Sequence, residues 1–190
     1  MNIEQLKDQI YDANHPQQQY KAAYNMRFVK NNPEIIQILF KACYEARDPK
    51  LQQEAVRSLS VLKPDEALNV FTEKSRHTND SIRLKSFYHL GTLGSPKGIN
   101  AVLQGLLDPQ PGIRKAAAIS AGRIGNNYQA INALDQLMNP FESPIVQKEA
   151  EKSIAHIKKK IHQQPPQHTR NHRSFNKASN DYQSYTPIAF

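Results

Sequence analysis

Apolar positions recur along this chain at two scales. Within short segments they follow helical spacing, and between segments they return after about 31 residues. Leu51, Ala55, Leu59 and Leu62 fall at i, i+4, i+8 and i+11, one face of an α-helix. Ile82, Ser86, Leu90 and Leu93 repeat that spacing, and so do Ile113, Ala117, Ala121 and Ile124. Val146, Ala150, Ile154 and Ile157 carry it on, and Ala22, Met26 and Val29 carry it upstream. A second apolar run follows four of these five segments. It is Ile35 to Phe40, the stretch after Pro64, Ile99 to Leu103, and Ile131 to Leu134. No second run follows the segment at 146–157. Recurrence at this period marks a repeat architecture. Such solenoids act through extended surfaces rather than through one enclosed pocket.

The punctuation between runs fixes the expected boundaries. Pro33, Pro64 and Pro144 each open a helix, where a missing N–H costs nothing, and Pro16 matches Pro49. Asp65 and Glu66 follow Pro64 and suit the positive end of a helix dipole. Ile3, Leu6, Ile10 and Tyr11 predict a capping helix within 1–13. Repeats are expected at about 16–47, 48–78, 79–108 and 109–140, with a half repeat at 143–161. The expected fold is all-α, a right-handed α-α superhelix of about ten helices over residues 1–162, with no strand pattern. Periodicity ends in residues 163–190, rich in Gln, Pro, Asn, Ser and His, and this segment reads as a disordered tail. Its last apolar residues, Tyr182, Tyr185, Ile188 and Phe190, read as a docking segment.

Two copies are nearly identical in skeleton. One has Ile82-Arg83, Leu90-Gly91, Leu93-Gly94 and Ile99; the other has Ile113-Arg114, Ala121-Gly122, Ile124-Gly125 and Ile131. Together with Ala116, Ala117 and Ala118 they resemble HEAT-like repeats of the phycobilisome-lyase type. That unit resembles D-x-x-V-R-x-x-A-A-x-A-L-G-x-L-G followed by A-[IV]-x-x-L. The resemblance spans about 16–161 and is strongest over 80–138. It implies an armadillo-type solenoid whose second helices line a concave side. It also implies a family that includes bilin lyase subunits, phycobilisome-degradation factors and interaction scaffolds. Small residues in the unit are expected to let helices approach closely, and the glycines to permit left-handed turns after helices.

Charge alters the picture only modestly. The formal net charge is +8 and the pI about 9.5, which suits an acidic partner of some kind. Residues 1–162 hold 22 Lys and Arg against 16 Asp and Glu, so the excess is dispersed. Interspersed acids and the absence of Trp weaken a nucleic-acid reading, which stays as an alternative. HEAT-like alkylpurine DNA glycosylases are weighed for the same reason. Tyr20, Tyr24 and Phe28, which such a reading would enlist, are expected to be packing residues. Cys43 is the lone cysteine, so no internal disulfide forms, and its apolar stripe predicts a buried thiol. No apolar run is long enough for a signal peptide or a membrane span, and a cytoplasmic protein is expected.

The candidate chemistry is a surface. Gln37, Asn69, Asn100 and Asn132 occupy one place in four successive second helices, and Lys41, Thr72, Gln104 and Gln136 lie one turn on. These eight positions form the expected partner-binding groove. Arg83, Arg114 and Lys115 are candidates for anion binding. The resemblance implies instead that the two arginines pair with acids of a neighbouring repeat, Asp48, Asp80 and Asp108 being suitably placed. His162, His168 and His172 lack the companions of a metal site, and no metal or cofactor is expected. No P-loop, dinucleotide, zincin or nucleophile-elbow motif occurs, so no catalytic residue is assigned. The expected function is a non-enzymatic scaffold for another protein. The alternative is a bilin lyase subunit or chromophore chaperone, the one case in which a bilin would be bound.

Overall fold

A computed structural model describes residues 2–163. Residues 164–190, which include Tyr182, Tyr185, Ile188, Phe190, His168 and His172, lie outside the described residues. The described chain is built of ten α-helices: α1 (Ile3–Tyr11), α2 (Pro16–Met26), α3 (Pro33–Glu45), α4 (Pro49–Leu62), α5 (Pro64–Lys74), α6 (Asp80–Leu93), α7 (Ile99–Gly105), α8 (Pro111–Ile124), α9 (Tyr128–Asp135) and α10 (Pro144–Gln163). One 3-10 turn, Pro96–Gly98, leads into α7. No strand occurs among the described residues.

Local chemistry sets the helix starts. Proline occupies the first position of α2, α3, α4, α5, α8 and α10. Asn2, Asn32, Asp48, Asn79 and Asn127 each cap a helix by accepting a backbone N–H from its first turn. Sequence placed Ile131 at the start of a second helix, whereas α9 begins three residues earlier because Asn127 supplies the cap. The last helix also runs slightly past its expected end, to Gln163.

Five first helices, α2, α4, α6, α8 and α10, stack each on the next. The second helices α3, α5, α7 and α9 each pack against the first helix that follows, and α1 covers α2. One continuous core runs through the array, with Met26, Leu39, Leu59, Phe71, Leu90, Val102, Leu134 and Ile157 fully buried. The fold is a helical solenoid, as the period predicts.

Small residues bring the first helices together. A β-carbon on Gly91 would lie 2.4 Å from Ser120 Oγ, and one on Gly122 would lie 2.6 Å from Ser153 Oγ. Ser58 Oγ donates to the Ala23 carbonyl at 2.7 Å, and Ser120 Oγ to the Phe87 carbonyl at 2.7 Å. The two glycines of each copy therefore do different work. Gly91 and Gly122 permit close approach inside helices, and Gly94 takes the expected left-handed conformation at φ 71°. Gly125 departs from expectation: its backbone is extended (φ −67°), and a β-carbon there would meet the Ala121 carbonyl at 2.5 Å.

Tyr24 and Phe28 also depart from expectation. They are exposed, stacked edge to face at 5.6 Å, with the Arg27 guanidinium 4.2 Å over the Tyr24 ring. Only Tyr20 of that trio is half-buried, where its hydroxyl donates to Asp48. The same registers are exposed in α4, at Arg57 and Val61, so this side of the first helices faces solvent within the array as well.

Helix α10 ends the stack with a changed surface. Glu151 and Ala155 occupy the places held in α8 by Ala118 and Gly122, and both are exposed. A polar outer face of this kind suits a terminal capping helix.

Candidate binding clefts on the second-helix face

First helices are in extensive contact, whereas neighbouring second helices meet only sparsely, α7 with α9 more than the others. Clefts open where the spacing is wider. One of about 460 Å³ lies between α1 and α3 and reaches the start of α4, with Tyr11, Ile38, Lys41 and Arg47 on its walls. A second, of about 400 Å³, lies between α3 and α5 over Ile36 and Phe40, with Gln37 on its rim. A third, of about 550 Å³, lies between α5 and α7. Its walls carry Thr72, Arg76, Lys97, Asn100 and Gln104.

The amide column faces solvent throughout: Gln37, Asn69, Asn100 and Asn132 are all exposed. Gln37 borders the second cleft and Asn100 the third. Thr72 and Gln104 join Asn100 in the third cleft, and Lys41 lines the first. Asn69, Asn132 and Gln136 are exposed but line none of these three clefts. Lys41 sits 5.6 Å from the Tyr11 ring centroid and 3.8 Å from Glu45.

The arginine column does a different job. Arg83 holds Asp108 with two bonds of 2.8 and 3.2 Å, meets Asp80 at 2.8 Å, and donates to the carbonyls of His77 and Thr78. Arg114 holds Glu142 at 2.6 and 2.8 Å and donates to the carbonyls of Asp108 and Pro109. Burial works to raise the Asp108 carboxyl, yet the hydrogen bonds from Arg83 bring it below its ordinary range. Hydrogen bonds from Arg114 lower Glu142 likewise. Arg83 thus pairs with Asp80 of its own helix and with Asp108 just before α8, Arg114 reaches the next repeat through Glu142, and Asp48 accepts from Tyr20 instead. Lys115 is half-buried in α8, outside these networks.

The same column continues where sequence offers no arginine. Gln52 donates to the Ala46 carbonyl and Gln147 to the Asn139 carbonyl. Each of the four side chains thus ties its helix to the turn that precedes it. The interchange of Gln and Arg at one register was the available signal for this shared role.

A buried cluster was harder to anticipate. His89 is 3 % exposed, where the equivalent register holds Ser58 in α4, Ser120 in α8 and Ser153 in α10. Its ring packs against Tyr44 and Phe71 with centroids 5.3 and 5.1 Å away. Burial pushes its pKa down to about 4. Cys43 is fully buried beside it, and burial pushes the thiol pKa well above its ordinary value. A thiol so raised is a poor nucleophile. Among the described residues no three His, Cys, Asp or Glu side chains converge as a metal site, and no helix is long and apolar enough to cross a membrane.

Residues 72–155 match the family described as HEAT repeats. No curated protein matches the sequence. Among solved structures, the chain is similar to the complex of CpcE and CpcF of phycocyanin lyase from Nostoc sp. PCC7120. That likeness has a TM-score of 0.52 at 16% identity and covers 84% of this chain and 66% of that one. This chain therefore spans about two thirds of the other's length. The crystal structure of an engineered protein aligns with a TM-score of 0.43 at 20% identity, over 83% of this chain and 80% of that chain. At these identities the likeness concerns the fold, a HEAT-like repeat solenoid.

Proposed function

We propose that this chain is a non-enzymatic scaffold that binds another protein along its second-helix face. The observation that carries the reading is the row of clefts between α1, α3, α5 and α7, bordered by solvent-facing amides and hydroxyls. An amide offers both donors and an acceptor, which suits hydrogen bonding to an extended partner backbone. The groups best placed for chemistry are committed elsewhere: Cys43 is sealed in the core, and Arg83 and Arg114 are held by carboxylates. The test replaces Asn69, Asn100 and Asn132 together by Asp and compares affinity purifications with the unaltered protein. Loss of a partner from a variant with unchanged melting supports the reading. Retention of the same partners overturns it.

Bilin handling is the second reading, and it rests on the fold shared with the CpcE and CpcF chains. Bilin propionates need cations; of the three candidates the two arginines are held by Asp108 and Glu142, so that Lys115 and the cations of the third cleft, Arg76 and Lys97, would have to serve. Mixing the protein with phycocyanobilin, alone and with an apo-phycobiliprotein, tests this through visible absorbance. An unchanged spectrum removes it.

A further inference from the structure

The third cleft differs from its neighbours in charge. Two cations, Arg76 and Lys97, stand on its walls with Thr72, Asn100 and Gln104, and no carboxylate lines it. The second cleft is mixed, with Lys63 beside Glu66. Of the acids of α5, Glu66 lines the second cleft and Glu73 lies on the side of Tyr44, whose phenol its charge disfavours ionising, while Asp65 reaches Lys97 at 3.3 Å. That pair is largely exposed on both sides, so it holds Lys97 weakly. Arg76 is exposed and joins no ion pair among the described residues.

Resting on the protein-binding reading above, we propose that the α5/α7 cleft receives an acidic side chain of an extended partner segment. The α3/α5 cleft, floored by Ile36 and Phe40, receives an apolar one. Charge complementarity selects the first residue. The Arg76 guanidinium and Lys97 ammonium supply donors to a carboxylate, and the Asn100 and Gln104 amides supply more. The apolar floor selects the second. One helix, α5, separates the clefts, and the second helices stand wider than close packing, so the cleft centres lie more than about 10 Å apart. Side chains of an extended chain alternate, so positions four apart, about 13 Å, are those that reach both clefts from one face. The recognised pattern is therefore an apolar residue and an acidic residue four positions apart.

The test is a peptide array of extended Gly/Ser backgrounds, each carrying one Leu and one second residue at varied separation. That second residue is Glu, Gln, Lys or phosphoserine. Labelled full-length protein is applied, together with a variant carrying Arg76→Glu and Lys97→Glu. The expected result is strongest retention on Leu and Glu four apart, weaker retention at three, and a loss of about threefold for Gln. The charge-swapped variant is expected to prefer Lys. Both changed residues are exposed, and a melting curve verifies folding. The proposal is overturned if Glu and Gln bind alike, or if the swapped variant keeps the original preference. It is also overturned if a single-stranded oligonucleotide displaces the peptide, which would assign the cleft to phosphates. None of these results touches the broader scaffold reading, which stands or falls on the Asn69, Asn100 and Asn132 variant.

Discussion

His89 Nε2 donates to the backbone carbonyl of Cys43 across 2.8 Å, tying the middle of α6 to the C-terminus of α3. A carbonyl only accepts, so Nε2 carries a proton, and burial, which lowers the ring's pKa to about 4, keeps the imidazole neutral at pH 7. The last carbonyls of a helix lack partners within it. Here α6 supplies two, since Lys85 Nζ also donates to the Tyr44 carbonyl. Tyr44 answers from α3, its hydroxyl 3.0 Å from Ser86 Oγ. Serines at the His89 register in α4 and α8 reach only the preceding first helix, to Ala23 and Phe87. The longer imidazole reaches a second helix instead.

Stability is expected to depend on pH through this residue. Unfolded histidine titrates near 6.5, and burial lowers His89 to about 4. Between those values the unfolded chain binds more protons, so stability rises with pH. The contribution is complete above pH 6.5 and is lost as pH falls toward 4, by up to about 3 kcal/mol. Burial raises the Cys43 thiol and the Tyr44 phenol beside the ring, so neither ionises in this window, and the charge of Lys85 adds to the lowering of His89. Urea midpoints across the range, compared with His89→Gln, isolate the effect. An equal acid dependence in both proteins contradicts the assignment.

Close packing of first helices makes a steric prediction. Gly122→Ala is expected to destabilise by about 1–3 kcal/mol, because its β-carbon meets Ser153 Oγ, Cβ and Cα. Gly112, with nothing within 4 Å of such a carbon, is the control. Gly112→Ala is expected to be neutral or to stabilise by up to about 1 kcal/mol. Thermal melts of the two variants test the contrast, and similar losses in both count against it.

Removing one member of the partly buried pair that joins α8 to the turn before α10 is expected to be costly. Arg114→Met leaves Glu142, whose side chain is 5 % exposed, without its counter-charge. The expected loss is about 3–5 kcal/mol, and Arg114→Met with Glu142→Leu should recover much of it. Denaturant titration of the single and double variants decides the matter. A single variant as stable as the parent would show that the pair carries no such role.

The amide column should separate binding from folding. Asn69, Asn100 and Asn132 are exposed, so replacing any one by Ala is expected to change stability by no more than about 0.5 kcal/mol. A larger loss measured by urea unfolding would assign that amide a structural role between repeats.

Much of the solenoid was legible because its period is written in residues whose burial the fold repeats. Leu59, Leu90 and Ala121 share a register and are all buried. Pairing of Arg83 and Arg114 was legible only through the resemblance, and the acids it pointed to included Asp108 but not Glu142. Glu142 was missed because it lies 28 residues beyond Arg114 in an irregular turn. His89 was missed because its partner belongs to α3, 46 residues earlier, and no local pattern encodes that contact. The clefts were missed for a related reason. Sequence placed the amides in one column, but the gaps beside them depend on how far apart second helices stand.

Tight contact between first helices, with open space between most second helices, gives the array a spine and a row of leaves. The spine has little freedom to shorten, since there is no room for even a β-carbon at Gly91 or Gly122, and lengthening it would break the 2.7 Å bonds from Ser58 and Ser120 to the preceding helix. Its soft motion is bending, a small change of angle at each joint. Bending leaves the spine nearly unchanged and alters the width of every cleft. A side chain wedged between α5 and α7 would therefore favour one curvature of its joint. A partner long enough to cross several clefts would read the curvature of the array as well as the groups on its surface.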